Sequence, residues 1–143
     1  MPKMVEIVAG RDELYNVSKT LMDLLPEGGV IILKGDLGSG KTTLVRNFAS
    51  YLTDDSVTSP TFSLQQIYSD KIYHYDMYQK GFDHFASTGL LEELEKSGWH
   101  FVEWGDEKLQ SYLQKVSIGY VTVFITPRGD KRVYRIEDAY IKG

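Results

Sequence analysis

Eight residues, Gly35-Asp36-Leu37-Gly38-Ser39-Gly40-Lys41-Thr42, restrict this chain more than any other feature. They match the pattern Gly, four free positions, Gly, Lys, then Ser or Thr. Val30-Ile31-Ile32-Leu33 reads as a buried strand entering the loop, and Thr43-Leu44-Val45-Arg46-Asn47-Phe48-Ala49 as a helix leaving it. Strand, loop and helix in that order make an anion site, because backbone N–H groups curl around phosphate oxygens at the positive end of the helix. On this reading Asp36, Leu37, Gly38, Ser39 and Gly40 surround a nucleotide's phosphates. Lys41 reaches the β- and γ-phosphates, the Thr42 hydroxyl ligates Mg²⁺, and Thr43 adds a second hydroxyl. The bland alternative is a glycine-rich turn, and the flanking strand and helix weigh against it.

The 143 residues suit a single domain, 1–143, around one core. Hydrophobic residues make up 42% and charged residues 25%, which is ordinary for a water-soluble protein. A net charge of −4 and a pI near 5.3 leave no overall basic footprint for nucleic acid. The absence of cysteine excludes disulfides and thiolate metal sites, and fits a reducing cytoplasm. Met1-Pro2-Lys3-Met4-Val5-Glu6 has no long apolar region, so no signal peptide is expected, and no apolar run approaches transmembrane length.

Val5–Val8 reads as a short strand, and Asp12 as the N-cap of a helix whose apolar face carries Leu14, Val17, Leu21, Leu24 and Leu25. Pro26-Glu27-Gly28-Gly29 ends that helix. Leu64–Tyr68 and Lys71–Tyr78 read as an antiparallel hairpin. Leu90, Leu91 and Leu94 mark a short helix, Trp99–Trp104 a buried strand, and Asp106–Leu113 another helix. Ile118–Thr126 and Arg132–Ile136 form a second hairpin around Pro127-Arg128-Gly129-Asp130. The expected fold is therefore α/β of the phosphate-loop NTPase type, three layers with a mixed sheet and antiparallel additions.

Such a loop needs an acidic group at the end of a buried strand to complete the metal shell. Glu103, after Trp99-His100-Phe101-Val102, and Asp76, after Ile72-Tyr73-His74-Tyr75, are the two candidates. One can ligate Mg²⁺ while the other orients an attacking water; the alternative is that both are solvated strand-end acids. Thr58-Ser59-Pro60-Thr61-Phe62 presents hydroxyls from a stiffened loop, read either as a γ-phosphate-sensing switch or as a simple turn. Tyr68, Tyr73, Tyr75 and Tyr78 read as cross-strand packing, with a base-stacking surface as the sharper alternative.

These blocks together resemble the bacterial TsaE (YjeE-like) ATPase family. The matching residues are Gly35 to Thr43 with Arg46, then Thr58 to Phe62, His74-Tyr75-Asp76-Met77-Tyr78 and Val102-Glu103-Trp104. The resemblance implies a protein that binds ATP or ADP with Mg²⁺ and hydrolyses ATP slowly by itself. It puts the Mg²⁺ carboxylate on Glu103 and a second important acid on Asp76, making Lys41, Asp76 and Glu103 the catalytic set. It implies association with the TsaD–TsaB pair in threonylcarbamoyladenosine modification of tRNA, with tRNA met only through that complex. It also implies a base pocket between the chain's two ends, near Arg11 and Asp130. The chain departs from many members at Gln79, where they have Arg, and at Gly105, where they have Pro.

Two other classes compete. A small kinase acting on a metabolite or nucleoside would need a lid with several arginines, yet of five arginines Arg128, Arg132 and Arg135 all lie in the final hairpin. A nucleotide-dependent binding regulator overlaps with the family reading.

Overall fold

The computed structural model describes residues 4–35, 40–52, 65–68, 71–77 and 81–140, of which 138–140 by backbone alone. The strands are β1 (Met4–Ala9), β2 (Gly28–Lys34), β3 (Gln65–Tyr68), β4 (Ile72–Asp76), β5 (Gly98–Glu103), β6 (Tyr120–Arg128) and β7 (Lys131–Tyr140). The helices are α1 (Tyr15–Leu24), α2 (Lys41–Ser50), α3 (Gly81–Ser87), α4 (Leu90–Glu93) and α5 (Glu107–Lys115). One sheet holds every strand in the order β1-β7-β6-β2-β5-β4-β3. The inner four run parallel, while β3 closes one edge and β7 with β1 the other, all antiparallel.

β2 is the middle of this arrangement. Val30, Ile31, Ile32 and Leu33 are all 0% exposed. Each contributes about 1.5–3 kcal/mol on burial, so a shifted register would forfeit most of the core. Ile31 and Leu33 face the layer of α1 and α2, with Val17, Leu21, Leu44 and Phe48. Val30 and Ile32 face the layer of α3, α4 and α5, with Phe85, Leu91, Leu109 and Leu113. At the start of the parallel strands Gly98 has φ +121°, and a Cβ there would collide with the Lys71 carbonyl, so only glycine lets β4 and β5 begin this close together.

The two expected hairpins are present, with a tighter turn at Gly129-Asp130 in the second. Asp106 caps α5, accepting from the Leu109 N–H at 3.1 Å. Asp12 does not cap α1. It lies inside a 3₁₀ turn, Arg11–Glu13, capped by Gly10, whose N–H donates to Glu13 Oε1 at 2.8 Å. The carboxylate three positions after the cap outcompeted the acid expected to be the cap itself. Helix α3 was not expected, since its apolar positions are few and its companion α4 is one turn long. The pairing of β1 with β7 joins residues over a hundred positions apart and has no local signature.

The tyrosines pack. Tyr68, Tyr73 and Tyr75 are buried, so they offer no base-stacking surface; Tyr78 lies outside the described residues. Tyr73 stacks on His100 with centroids 4.2 Å apart. The Tyr75 hydroxyl donates to His100 Nδ1 at 2.7 Å, and His100 Nε2 donates to the Lys96 carbonyl at 2.8 Å. Both ring nitrogens are thus satisfied in the neutral tautomer, and burial pushes His100 down to about 4. No helix among the described residues is long and apolar enough to cross a membrane.

This network predicts acid sensitivity. The folded chain resists protonating His100, whereas the unfolded chain takes the proton below its ordinary value near 6.5. Stability is therefore fully present above about pH 6.5 and falls as pH drops toward 4, by up to about 3 kcal/mol from this group. Urea unfolding between pH 7 and pH 4.5 should show a shallower slope for His100→Gln than for the wild-type chain; equal slopes would remove His100 as the cause.

Candidate functional site

The carboxyl ends of β2, β5 and β4 lie side by side, because Leu33 is in register with Glu103 and Glu103 with Asp76. Ligands of open α/β sheets bind at such an edge, where successive crossovers diverge. Here the chain leaves β2 through α2 on one face, and leaves β5 through α5 on the other.

Helix α2 brings the loop residues to that edge. Gly40 takes φ +105° as its N-cap, and Leu44 N–H donates to the Gly40 carbonyl at 3.0 Å. Leu44, Val45, Phe48 and Ala49 bury one face of α2, with Phe48 edge-on to Phe101 at 5.0 Å. The buried Ser18 hydroxyl donates to Asn47 Oδ1 at 2.7 Å and pins α2 to α1. Lys41 and Thr42 are consequently fixed in the first turn.

Lys41 is 5% exposed. Its ammonium donates to the Gly35 carbonyl at 2.6 Å and sits 4.2 Å from the centroid of the Trp104 ring. Trp104 reaches that position because it adopts φ +65°, a left-handed conformation that costs about 1–2 kcal/mol for a non-glycine residue. The bend takes the chain off β5 immediately after Glu103. Glu103 therefore lies within a residue of the lysine's aromatic support, and Thr42 within a residue of the lysine.

Glu103 is only 6% exposed, so it is not the solvated strand-end acid considered as its alternative. His74 Nε2 contacts Glu103 Oε2 at 2.5 Å. Asp76 is half-buried and paired in register with Glu103 on the same sheet face. A carboxylate and a hydroxyl are the hard oxygen donors that Mg²⁺ takes, and a buried carboxylate at this edge is the donor an all-apolar strand end would lack, so the residues fit that ion.

Arg11 and Asp130 line one pocket of about 270 Å³ together with Pro127, Gly129, Lys131 and Arg132. The pairing of β1 with β7 is what brings these distant residues together. Arg132 goes unassigned in the sequence reading. A Cβ on Gly40 would lie 3.2 Å from its Nε and 3.3 Å from its Cζ, so the guanidinium arm crosses the entry to α2. It thus links that pocket to the N-terminal end of α2. His74 and Trp104 likewise carry no assigned role in the sequence. Two-residue alternation puts His74 on the same face as Asp76, and that signal was legible.

Asp36, Leu37, Gly38 and Ser39, the Thr58–Phe62 segment and Gln79 lie outside the described residues. Thr42 and Thr43 are half-buried in the first turn of α2. Gly105 carries no Cβ where one would sit 2.7 Å from Leu109, which suits glycine in place of proline there.

The motif Gly35 to Thr42 placed between β2 and α2 of a mixed α/β sheet defines a protein of the P-loop NTPase type. A crystal structure of YdiB from Bacillus subtilis superposes with a TM-score of 0.65 at 26% identity, covering 100% of this chain and 88% of that one. The family model described as threonylcarbamoyl adenosine biosynthesis protein TsaE matches residues 8–134. The chain belongs to the TsaE family. Among relatives bearing the name tRNA threonylcarbamoyladenosine biosynthesis protein TsaE, that of Treponema pallidum is 35% identical over 99 residues, 66% of this chain and 73% of the relative. That of Bacillus subtilis is 36% identical over 97 residues, 65% of this chain and 61% of the relative.

Lys41 is a buried cation, and the two partners described above, the Gly35 carbonyl and the Trp104 ring, carry no net charge. Lys41→Met keeps the methylene packing, so unfolding in urea without nucleotide should show stability within about 1 kcal/mol of wild type, or above it. Trp104→Leu leaves the ammonium in place without its ring and should cost about 1 kcal/mol or more. A Lys41→Met loss exceeding that of Trp104→Leu would make the lysine structural.

Proposed function

We propose that this chain binds ATP with Mg²⁺ and hydrolyses it slowly, supporting threonylcarbamoyladenosine modification of tRNA as a cytoplasmic partner of TsaD and TsaB. The observation that carries the reading is the convergence of Lys41, from the start of α2, and Glu103, from the end of β5, at the edge where β2 gives way to the phosphate-binding loop. Family membership supplies the pathway.

Lys41 offers its ammonium to the β- and γ-phosphates, exchanging the Gly35 carbonyl for phosphate oxygens. The backbone N–H groups of the Asp36–Gly40 loop and of the first turn of α2, together with the Thr43 hydroxyl, hold the remaining phosphate oxygens. Thr42 and Glu103 would hold Mg²⁺, which would supply positive charge to neutralise the phosphates. Asp76, in register beside Glu103, orients the attacking water. Arg11 and Asp130 hold the base. Arg132, which lines the same pocket and crosses Gly40, adds a cation to this end of the site. The preorganised cations and N–H groups are the main catalytic resource, since phosphoryl transfer asks mostly for positioning and charge stabilisation.

The acidic chain leaves tRNA to its partners, and ATP-dependent docking on TsaD–TsaB couples turnover to them. A kinase reading is less favoured, because the arginines of the final hairpin sit on a strand pair rather than on a separate lid.

Glu103→Gln and Thr42→Ala should each lower Mg²⁺-dependent phosphate release at least tenfold, while ADP affinity measured by calorimetry in EDTA changes little. Gel filtration with a TsaD–TsaB pair should show association with ATP and not with ADP. Undiminished phosphate release from Glu103→Gln at low Mg²⁺ would move the metal ligand to Asp76. A phosphorylated small molecule in place of free phosphate would establish the kinase reading.

A further inference from the structure

His74 is a fully buried, 0% exposed imidazole on β4, and it is not among the residues assigned a task above. Its Nε2 contacts Glu103 Oε2 at 2.5 Å. Its Nδ1 is also buried and has no hydrogen-bond partner among the described residues. An apolar side chain would fill this place beside Phe101 without leaving a ring nitrogen unpaired. The histidine is therefore poorly explained by packing, and its one hydrogen bond goes to the carboxylate read as the metal ligand.

We propose that His74 is the positioning residue that makes Glu103 a single-oxygen metal ligand. A metal-ligating carboxylate only accepts hydrogen bonds, so the shared proton resides on His74 Nε2. That N–H occupies Oε2, restrains the carboxylate's rotation and leaves Oε1 for the cation. Hydrogen-bonded partners of this kind set the orientation of a ligating carboxylate, and removing them weakens metal binding by about 10- to 100-fold. The sheet makes the device rigid. Both residues sit on adjacent parallel strands, and the Met77 N–H donates to the Glu103 carbonyl at 3.0 Å, fixing the backbone at the strand ends. The inference rests on the reading of Glu103 as the metal carboxylate.

The full chain is titrated with Mn²⁺ in the presence of ADP, free Mn²⁺ being followed by electron paramagnetic resonance. ADP affinity in EDTA and thermal unfolding are measured alongside. His74→Leu should weaken Mn²⁺ binding about 10- to 100-fold and leave ADP affinity in EDTA nearly unchanged. His74→Gln places an amide N–H near the position of Nε2 and should recover most of the loss. His74→Asn, whose amide reaches only the Nδ1 position, should not. In a Glu103→Gln background, His74→Leu should add no further loss. Should the leucine variant fail to fold, the contrast between the glutamine and asparagine variants carries the same test. Wild-type Mn²⁺ affinity in His74→Leu, with weakened affinity in Glu103→Gln, would overturn the positioning role and keep the metal reading. Wild-type affinity in Glu103→Gln would overturn both. Equal losses of Mn²⁺ and metal-free ADP binding, without rescue by glutamine, would reduce His74 to a packing residue.

Discussion

Parallel pairing of β2 on both of its edges, with β5 on one side and β6 on the other, is the constraint from which the site follows. A strand buried on both faces and both edges must send its chain out at the carboxyl end, with α2 packed back on one face. Lys34 and Lys41, the residues on either side of the glycine-rich motif, are then held at that end of the sheet. The same register puts Glu103 level with Leu33, and one strand further Asp76 level with Glu103. Two acids that sequence places 27 positions apart become neighbours because parallel strands align their ends.

Charge is buried at this edge in pairs. Lys41 has the Gly35 carbonyl and the Trp104 face, and Glu103 has His74. Each contact keeps a desolvated polar group satisfied inside the fold. The strained turn at Trp104 belongs to the same logic, since it delivers an aromatic face to the lysine directly after the strand that delivers the carboxylate. By contrast, the Tyr75–His100–Lys96 network on the other face is closed, with both ring nitrogens occupied. It stabilises the join between β4 and β5 and takes no part in the site.

The motif block Gly35 to Thr42, the strand before it and the helix after it were legible because each has a local cause: glycine positions, a continuous apolar run, and helical spacing of Leu44, Val45 and Phe48. The hairpins and the helix beginning near Asp106 were legible for the same reason, though Asp106 caps that helix rather than starting it. The reading of Asp12 as a cap went wrong where two adjacent acids competed and the one reaching back to Gly10 won. Helix α3 escaped because its only buried residue is Phe85, too sparse a pattern to show a period.

By itself, then, the sequence determined the glycine-rich motif with its strand and helix, the α/β class, the two candidate acids and the family, since all of these reside in short contiguous patterns. Tertiary structure alone decided that Glu103 is buried and bonded to His74, that Trp104 supports Lys41, and that Arg11, Asp130 and Arg132 share one pocket. Those relations depend on pairings between residues far apart in the chain, β1 with β7 and β4 with β5. The hydrogen-bonding groups that make such pairings are the same at every residue, so no local pattern announces which strands will meet.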